Sequence, residues 1–219
     1  MVAMPDSPIF AALAASDRDG MASILSADPE AAVSRDANGI SMLMAARYRF
    51  DMRAVELIRA AGQPLDIFEA TIVDDATRVR HLLTLDPSQV FHLSADGFSA
   101  LHYAAFFGAP AAARVLVDVG APIDKYSAND FGVMPLHSAL AGRHREVCRI
   151  LVDAGADVDA IQREGHRPLH LAVEHDDVEL IEMLVAAGAD RSLTNDVGET
   201  AVQSAERLGR SQAAARLRA

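Results

Sequence analysis

The chain has 219 residues and a formal net charge of −11. Such an acidic protein repels phosphate backbones, so we expect no nucleic-acid partner, whereas a protein partner with a basic surface would suit the charge. Hydrophobic residues make up 51%, which is ample for a continuous core, and the single cysteine, Cys148, excludes an internal disulfide framework.

The N-terminal half contains an internal duplication. A shift of 58 residues aligns Ile9 with Ile67, Asp28 with Asp86 and Gly39 with Gly97. We interpret residues 7–64 and 65–122 as two copies of a pair of units. The first unit of each copy ends in Asp-Pro and lacks a glycine-bearing turn, so we expect the third unit of the chain to have a shortened entry hairpin.

The C-terminal half repeats a shorter pattern. Three blocks beginning at Gly97, Gly132 and Gly165 each place a Leu-His pair four residues after the glycine, and these glycines lie 35 and 33 residues apart. Self-similarity at this period indicates a solenoid of stacked units in which each unit packs only on its neighbours. We expect one elongated domain over residues 1–219, with seven units at about 6–35, 36–65, 66–93, 94–128, 129–161, 162–194 and 195–219.

Each unit can be built from local rules. Proline suits the first position of a short helix, so we expect a helix from Pro168 to about Glu174. Apolar residues at helical spacing predict a second helix over 178–185, which ends before Gly188. The fourth unit carries two extra residues within 125–129, so its connection to the fifth unit should bulge.

The pattern resembles the ankyrin repeat. Pro135-Leu136-His137 and Pro168-Leu169-His170 match the core of its 33-residue motif closely, whereas the block at Leu101-His102 lacks the proline. The threonine that normally precedes this core is Ser99, Met134 or Arg167 here; serine can cap a helix, but methionine and arginine cannot. The resemblance implies an all-α, ankyrin-type α-solenoid of helix–turn–helix repeats joined by β-hairpin-like loops, in a bacterial-type member with no additional domain.

The resemblance also implies that hairpin tips and first helices form a concave binding face. Five of the eleven Phe and Tyr residues fall at positions of the fourth and fifth units that we predict to lie outside the core. We expect this aromatic cluster to bind a protein partner, flanked by Lys125, the acidic tips Asp96, Asp130 and Glu164, and residues of the sixth unit. The predicted binding residues are Phe98, Phe106, Phe107, Tyr126, Phe131, Arg163, His166 and His175. In the alternative interpretation, the extra residues near Tyr126 fold back and bury these aromatics.

No nucleotide-binding loop, zinc-spaced cluster or nucleophile elbow is present in the sequence. His102, His137 and His170 recur one repeat apart, too far for two of them to share an ion, and the resemblance implies a structural hydrogen-bonding role for them. We therefore predict a non-catalytic, scaffold-type protein-binding module. We expect it to be a cytoplasmic monomer with no metal, cofactor or membrane partner. Two alternatives remain open: a metal-binding or small enzymatic protein that uses His166, His170 and His175, or a self-associating structural module.

Overall fold

The computed structural model describes residues 7–163 and 165–219, and over these residues the chain forms fourteen α-helices and no β-structure beyond isolated bridges. Consecutive helices pack in pairs, and each pair packs on the next, as expected for the predicted solenoid. Two 3₁₀ helices, Pro29–Val33 and Pro87–Phe91, follow the second and sixth α-helices, where the sequence has its Asp-Pro steps. The α-helices are α1 (Pro8–Ala14), α2 (Arg18–Ala27), α3 (Met42–Tyr48), α4 (Met52–Ala60), α5 (Ile67–Ile72), α6 (Ala76–Leu85), α7 (Ala100–Phe107), α8 (Pro110–Asp118), α9 (Pro135–Ala141), α10 (Arg145–Asp153), α11 (Pro168–Glu174), α12 (Val178–Ala186), α13 (Ala201–Arg207) and α14 (Ser211–Arg218).

The first helices begin as the sequence predicts. The Ser99 side chain accepts a hydrogen bond from the backbone N–H of His102 and so caps α7. Met134 and Arg167 stand at the same position before α9 and α11 and make no side-chain cap. Arg167 instead donates to the backbone carbonyls of Asp159 and Thr194, so this residue ties its helix to the adjoining loops.

The turn between the two helices of each pair contains one residue with positive φ. Gly108 and Gly209 fill it in two units, where glycine adopts this conformation without strain. Phe50, Asp74 and Asp176 adopt it with φ between 50° and 57°. At this position Asp74 and Asp176 also bond to the next helix pair. Their carboxylates accept hydrogen bonds from backbone N–H groups of α8 and α14, respectively.

The hairpin loops form a row along one edge of the solenoid. The carbonyl of Gly97 accepts from the N–H of Ala128 at 2.8 Å, and the carbonyl of Gly132 accepts from the N–H of Arg163 at 3.4 Å. The third unit contributes no such hairpin, because Asp66 directly caps α5 after Leu65. The predicted shortening is confirmed.

The missing hairpin brings the second and fourth units into direct contact. A Cβ atom on Gly39, in the hairpin of the second unit, would lie 3.0 Å from the Cβ of Ala95 in the hairpin of the fourth. The Arg47 guanidinium lies 4.6 Å from the centroid of the Phe107 ring and donates to the Phe107 carbonyl. We call the contacts of Arg47 with Phe107 and of Tyr48 with Asp96 the two–four seam.

The core consists of two clusters of buried side chains, and Leu65 and Phe68 pack against both. One extends from Ile67 to Leu217 and the other from Ile9 to Phe107. Cys148 is fully buried in the first, and this burial raises the pKa of its thiol to about 12, as expected for an inert core cysteine. None of the helices in the described part of the chain is long and apolar enough to span a bilayer.

Candidate protein-binding groove

A cavity of about 470 Å³ opens between the first helices and the hairpin row. Its walls come from α3, α7, α9 and α11 and from the hairpins of the fourth to sixth units, and we call it the aromatic groove. Five aromatic side chains line it: Tyr48, Phe98, Tyr103, Phe106 and Phe131. The remaining lining residues are Asp96, His102, Val133, His137, Ser138, Ala141, Gln162 and Leu171.

Three of the predicted binding residues meet in this groove. Phe131 is 62% exposed and Phe106 is 45% exposed, whereas Phe98 is half-buried. The rings of Phe98 and Phe131 stack with their centroids 6.3 Å apart, so aromatic residues from two successive hairpins form one surface. An exposed apolar surface of this kind is typical of a contact site.

Phe107 does not belong to this surface, and its predicted position outside the core was wrong. The side chain is only 7% exposed and packs against Tyr48 and Tyr103, with ring centroids 5.6 Å and 6.1 Å away. Tyr103 and Phe107 are four residues apart on α7 and therefore share the helix face that turns inward. Phe106, one residue earlier, points to the groove.

Tyr126 is 45% exposed but does not line the cavity. Its hydroxyl donates to the Ile161 carbonyl at 2.7 Å, which fixes the two extra residues of the fourth unit against the next connection. The inserted segment therefore does not cover Phe106 or Phe131, contrary to the alternative interpretation.

Asp96 is not the outward-facing acidic tip that the sequence suggested. Its side chain is half-buried and accepts hydrogen bonds from the hydroxyls of Tyr48, Tyr103 and Ser94. Burial, reinforced by the hydrogen bond to Asp96, raises the pKa of both tyrosines well above their usual range. Both phenols therefore stay protonated and keep donating to the carboxylate.

The three repeated histidines are structural, as predicted. The Nε2 atoms of His102, His137 and His170 lie 3.1, 3.2 and 2.9 Å from backbone carbonyl oxygens of the following connections. An imidazole N–H that donates to a carbonyl fixes the neutral tautomer. Burial lowers the pKa of His102 to about 4 and also lowers the pKa values of the other two.

The remaining predicted residues of the sixth unit lie outside the cavity lining. Arg163 packs over Gly132 and donates to the Asp130 carbonyl, and His166 lies 2.9 Å from the Glu174 carboxylate. His175 is half-buried at the end of α11. Glu164 lies outside the described residues. Across 7–163 and 165–219, no group of three or more His, Cys, Asp or Glu side chains is arranged to hold a metal ion.

Sequence reasoning missed the participation of Tyr103 and of the Asp96 carboxylate in the groove. Tyr103 directly follows the repeated Leu-His pair, a position that reads as core, and it is indeed 1% exposed. Its hydroxyl nevertheless reaches Asp96 at the edge of the cavity. The spacing of Ser94 and Asp96 around the turn is the one available signal, because short polar side chains at i and i+2 often bond to each other in turns.

A search against protein families matches this chain to a family model described as Ankyrin repeats (3 copies), over residues 67–162 and 122–195. The chain is similar to the human B-cell lymphoma 3 protein, with 31% identity over 160 residues, which cover 66% of this chain and 35% of that protein. It is also similar to the human Protein phosphatase 1 regulatory subunit 27, with 34% identity over 92 residues, which cover 42% of this chain and 53% of that protein. The matches thus span about a third to a half of these two relatives.

Proposed function

This chain belongs to the ankyrin-repeat family, and from that premise we propose that it is a non-catalytic module that binds a protein partner on its concave face. One of the two similar human proteins bears the name of a phosphatase regulatory subunit, which supports a protein partner for this chain. The observation that carries the proposal is the aromatic groove, in which Phe98, Phe106 and Phe131 present a contiguous apolar surface beside the hairpin row. Seven stacked units in a single domain would present this surface as a rigid concave wall.

The energetics of interfaces favour this site. Aromatic side chains that lose their water on binding contribute most of the affinity of a protein interface, and charged residues at the rim steer the encounter. Arg163 and Asp130 lie beside the groove at such a rim position, and each is largely exposed. His166, His175 and Tyr126 extend the proposed surface beyond the cavity and are expected to contribute less.

Capture from the native lysate tests the proposal with two matched double variants. Phe106→Ser/Phe131→Ser removes exposed rings from the groove, whereas Phe50→Ser/Phe91→Ser removes rings of similar exposure elsewhere, 72% and 58%. We expect the groove variant to lose a partner that the wild type and the control variant retain, with circular dichroism showing all three folded. Equal capture by all three would reject the groove, and no protein captured by the wild type would count against the interaction function itself.

The oligomeric state and the metal content are tested on the same preparations. We propose a monomer, so light scattering is expected to give a mass independent of concentration. A mass that rises with concentration would favour the self-associating alternative. Stoichiometric zinc or iron in protein purified without an affinity tag would favour the metal-binding alternative.

A further inference from the structure

The aromatic groove contains one carboxylate without a cationic partner. In residues 7–163 and 165–219, no Arg, Lys or His nitrogen lies within 4.0 Å of Asp96 to form an ion pair. The two histidines that line the groove, His102 and His137, have lowered pKa values and remain neutral. A carboxylate in an apolar site is costly unless a cation or several donors stabilise it.

Hydroxyl groups supply that stabilisation here, and they also use up the acceptor capacity of Asp96. The Tyr103 and Ser94 hydroxyls donate to Oδ1, and the Tyr48 hydroxyl donates to Oδ2. A carboxylate offers about four lone-pair positions, so three donors leave room for roughly one more. The negative charge remains, but few hydrogen-bond positions are left for a ligand.

Aromatic rings lie on both sides of the Asp96 carboxylate. The Tyr48 ring contacts the Phe106 ring at 6.3 Å, and the Tyr103 ring contacts the Phe98 ring at 5.7 Å, between ring centroids. Phe131 then stacks on Phe98. The faces of such rings attract cations, most strongly where water is excluded.

These features select among cations by their need for hydrogen bonds. A primary ammonium has three N–H donors and a guanidinium has five, whereas Asp96 has room for roughly one more. A quaternary ammonium has none and loses little on leaving water for aromatic faces near a fixed negative charge. The volume of about 470 Å³ falls within the range typical of ligand pockets, about 300 to 1,000 Å³.

We propose that the aromatic groove binds a methylated ammonium group, presented by a trimethylated lysine side chain of the protein partner. This inference rests on the proposed function, because that function supplies the polypeptide. Asp96 provides the charge, its three hydroxyl donors hold it in place, and Phe98, Phe106 and Phe131 provide the faces that surround the methyl groups. The trimethylated side chain also matches the overall negative charge of the chain.

Titration by NMR with three small probes of similar size tests the chemistry of the groove. Choline carries the quaternary ammonium, 3,3-dimethylbutan-1-ol replaces its nitrogen by carbon and is neutral, and ethanolamine carries the same charge with three N–H donors. We expect choline to bind about tenfold more tightly than either of the others, which corresponds to a cation–π contribution of partly desolvated rings. Equal binding of the neutral alcohol, or of ethanolamine, would overturn the proposal.

Matched variants locate the binding. Asp96→Asn removes the charge at nearly constant shape and is expected to reduce choline binding to the level of the alcohol, whereas Asp130→Asn on the neighbouring hairpin should leave it unchanged. Phe106→Leu keeps an apolar side chain but removes the ring, so it should weaken choline several-fold and leave the alcohol unaffected. If Asp96→Asn unfolds the protein, Phe106→Leu alone tests whether choline binds in the groove. Choline binding that is unchanged by Phe106→Leu would overturn the proposed site.

A comparison of peptides tests whether the ammonium group comes from a lysine side chain. Short peptides are compared that carry trimethyllysine, unmodified lysine, or its neutral tert-butyl isostere at one position. Preferential binding of the trimethyllysine peptide supports the proposal, and binding of choline without any preference among the peptides overturns it in favour of a free small cation. If the capture experiment locates a partner on the groove while all three peptides bind equally, the proposed function stands and only this inference fails.

Discussion

The fourth to sixth units and the first three units use the same pair of helices but stabilise them differently. The third residue of the first helix is His102, His137 or His170 in the later units, where its imidazole bonds to the next connection. In the second and third units it is Met44 or Glu69. The later units are thus linked to their immediate neighbours by a repeated histidine–carbonyl contact, whereas the second and third units have no histidine at that position.

The earlier units compensate through a longer-range contact. With no hairpin in the third unit, Tyr48 reaches over it to Asp96 and Phe107 of the fourth. The comparison shows that a degenerate repeat does not simply weaken a solenoid, because its missing loop lets the two flanking units contact each other. The aromatic groove begins at this seam, since Tyr48 forms one of its walls.

The largest expected effect comes from removing Tyr103, which packs against Phe107 and donates to Asp96, the two fourth-unit residues of the seam. Tyr103→Ala removes a side chain that is 1% exposed and contacts Phe68, Phe98 and Phe107, so we expect a loss of about 3–5 kcal/mol in the free energy of unfolding. Urea denaturation followed by circular dichroism measures the loss. The control Tyr103→Phe loses only the hydroxyl and should cost about 1.5 kcal/mol. A loss for Tyr103→Ala no larger than that of the control would show that the Tyr103 ring contributes no packing beyond its hydroxyl.

Acid should act on the histidine-bearing units. The pKa of His102 is about 4 in the folded protein against 6.5 ordinarily, so between these pH values the unfolded chain binds the proton and the folded one does not. The contribution of His102 to stability is therefore complete above about pH 6.5 and is lost as the pH falls, by about 1 kcal/mol between pH 7 and pH 5.5.

His102→Gln provides the comparison for this prediction, because glutamine stays neutral and Gln203 occupies the same position in the last unit. Urea unfolding at about pH 7 and pH 5.5 should show a smaller loss for this variant than for the wild type. An identical loss in both proteins would show that His102 does not contribute to the acid sensitivity.

The helix–helix turns offer a smaller test. Phe50 holds a φ of 54° with an exposed ring, so Phe50→Gly should remove backbone strain and raise the free energy of unfolding by about 0.5–1 kcal/mol. Asp74→Gly relieves the same strain but removes the acceptor that lies 2.7 Å from the Ala112 N–H. We expect no gain from the second variant, and thermal melts of both would measure the difference. Equal gains would indicate that the Asp74 hydrogen bond contributes nothing.

The smallest expected effect has the opposite dependence on pH. Burial raises the pKa of Glu69, so the folded protein binds its proton more readily than the unfolded chain and this residue costs stability once it is ionised. Glu69→Gln should therefore stabilise the protein at neutral pH by less than about 1 kcal/mol, and the gain should vanish in acid. A gain that persists unchanged at low pH would attribute it to packing instead.

The sequence predicted most of the fold because the fourth to sixth units repeat a local pattern of glycine turn, Leu-His pair and apolar stripe, and the 58-residue duplication describes the N-terminal half. The helix predicted from Pro168 to Glu174 has those bounds in the structure. The groove was predicted less completely. Phe106 and Phe107 are adjacent, and only the packing of α7 decides which of them is buried. The bond between Tyr48 and Asp96 joins residues 48 positions apart across a shortened unit, and no local pattern specifies such a contact.

The two–four seam changes how the free energies of the individual units combine into the stability of the chain. The free energy of a linear array is normally written as one value for each repeat plus one coupling for each adjacent pair. Tyr48 and Asp96 add a coupling between second neighbours, so no sum restricted to adjacent pairs describes this molecule. Excising the third unit would therefore not simply shorten the array by one unit, because the two ends it now separates are already joined to each other.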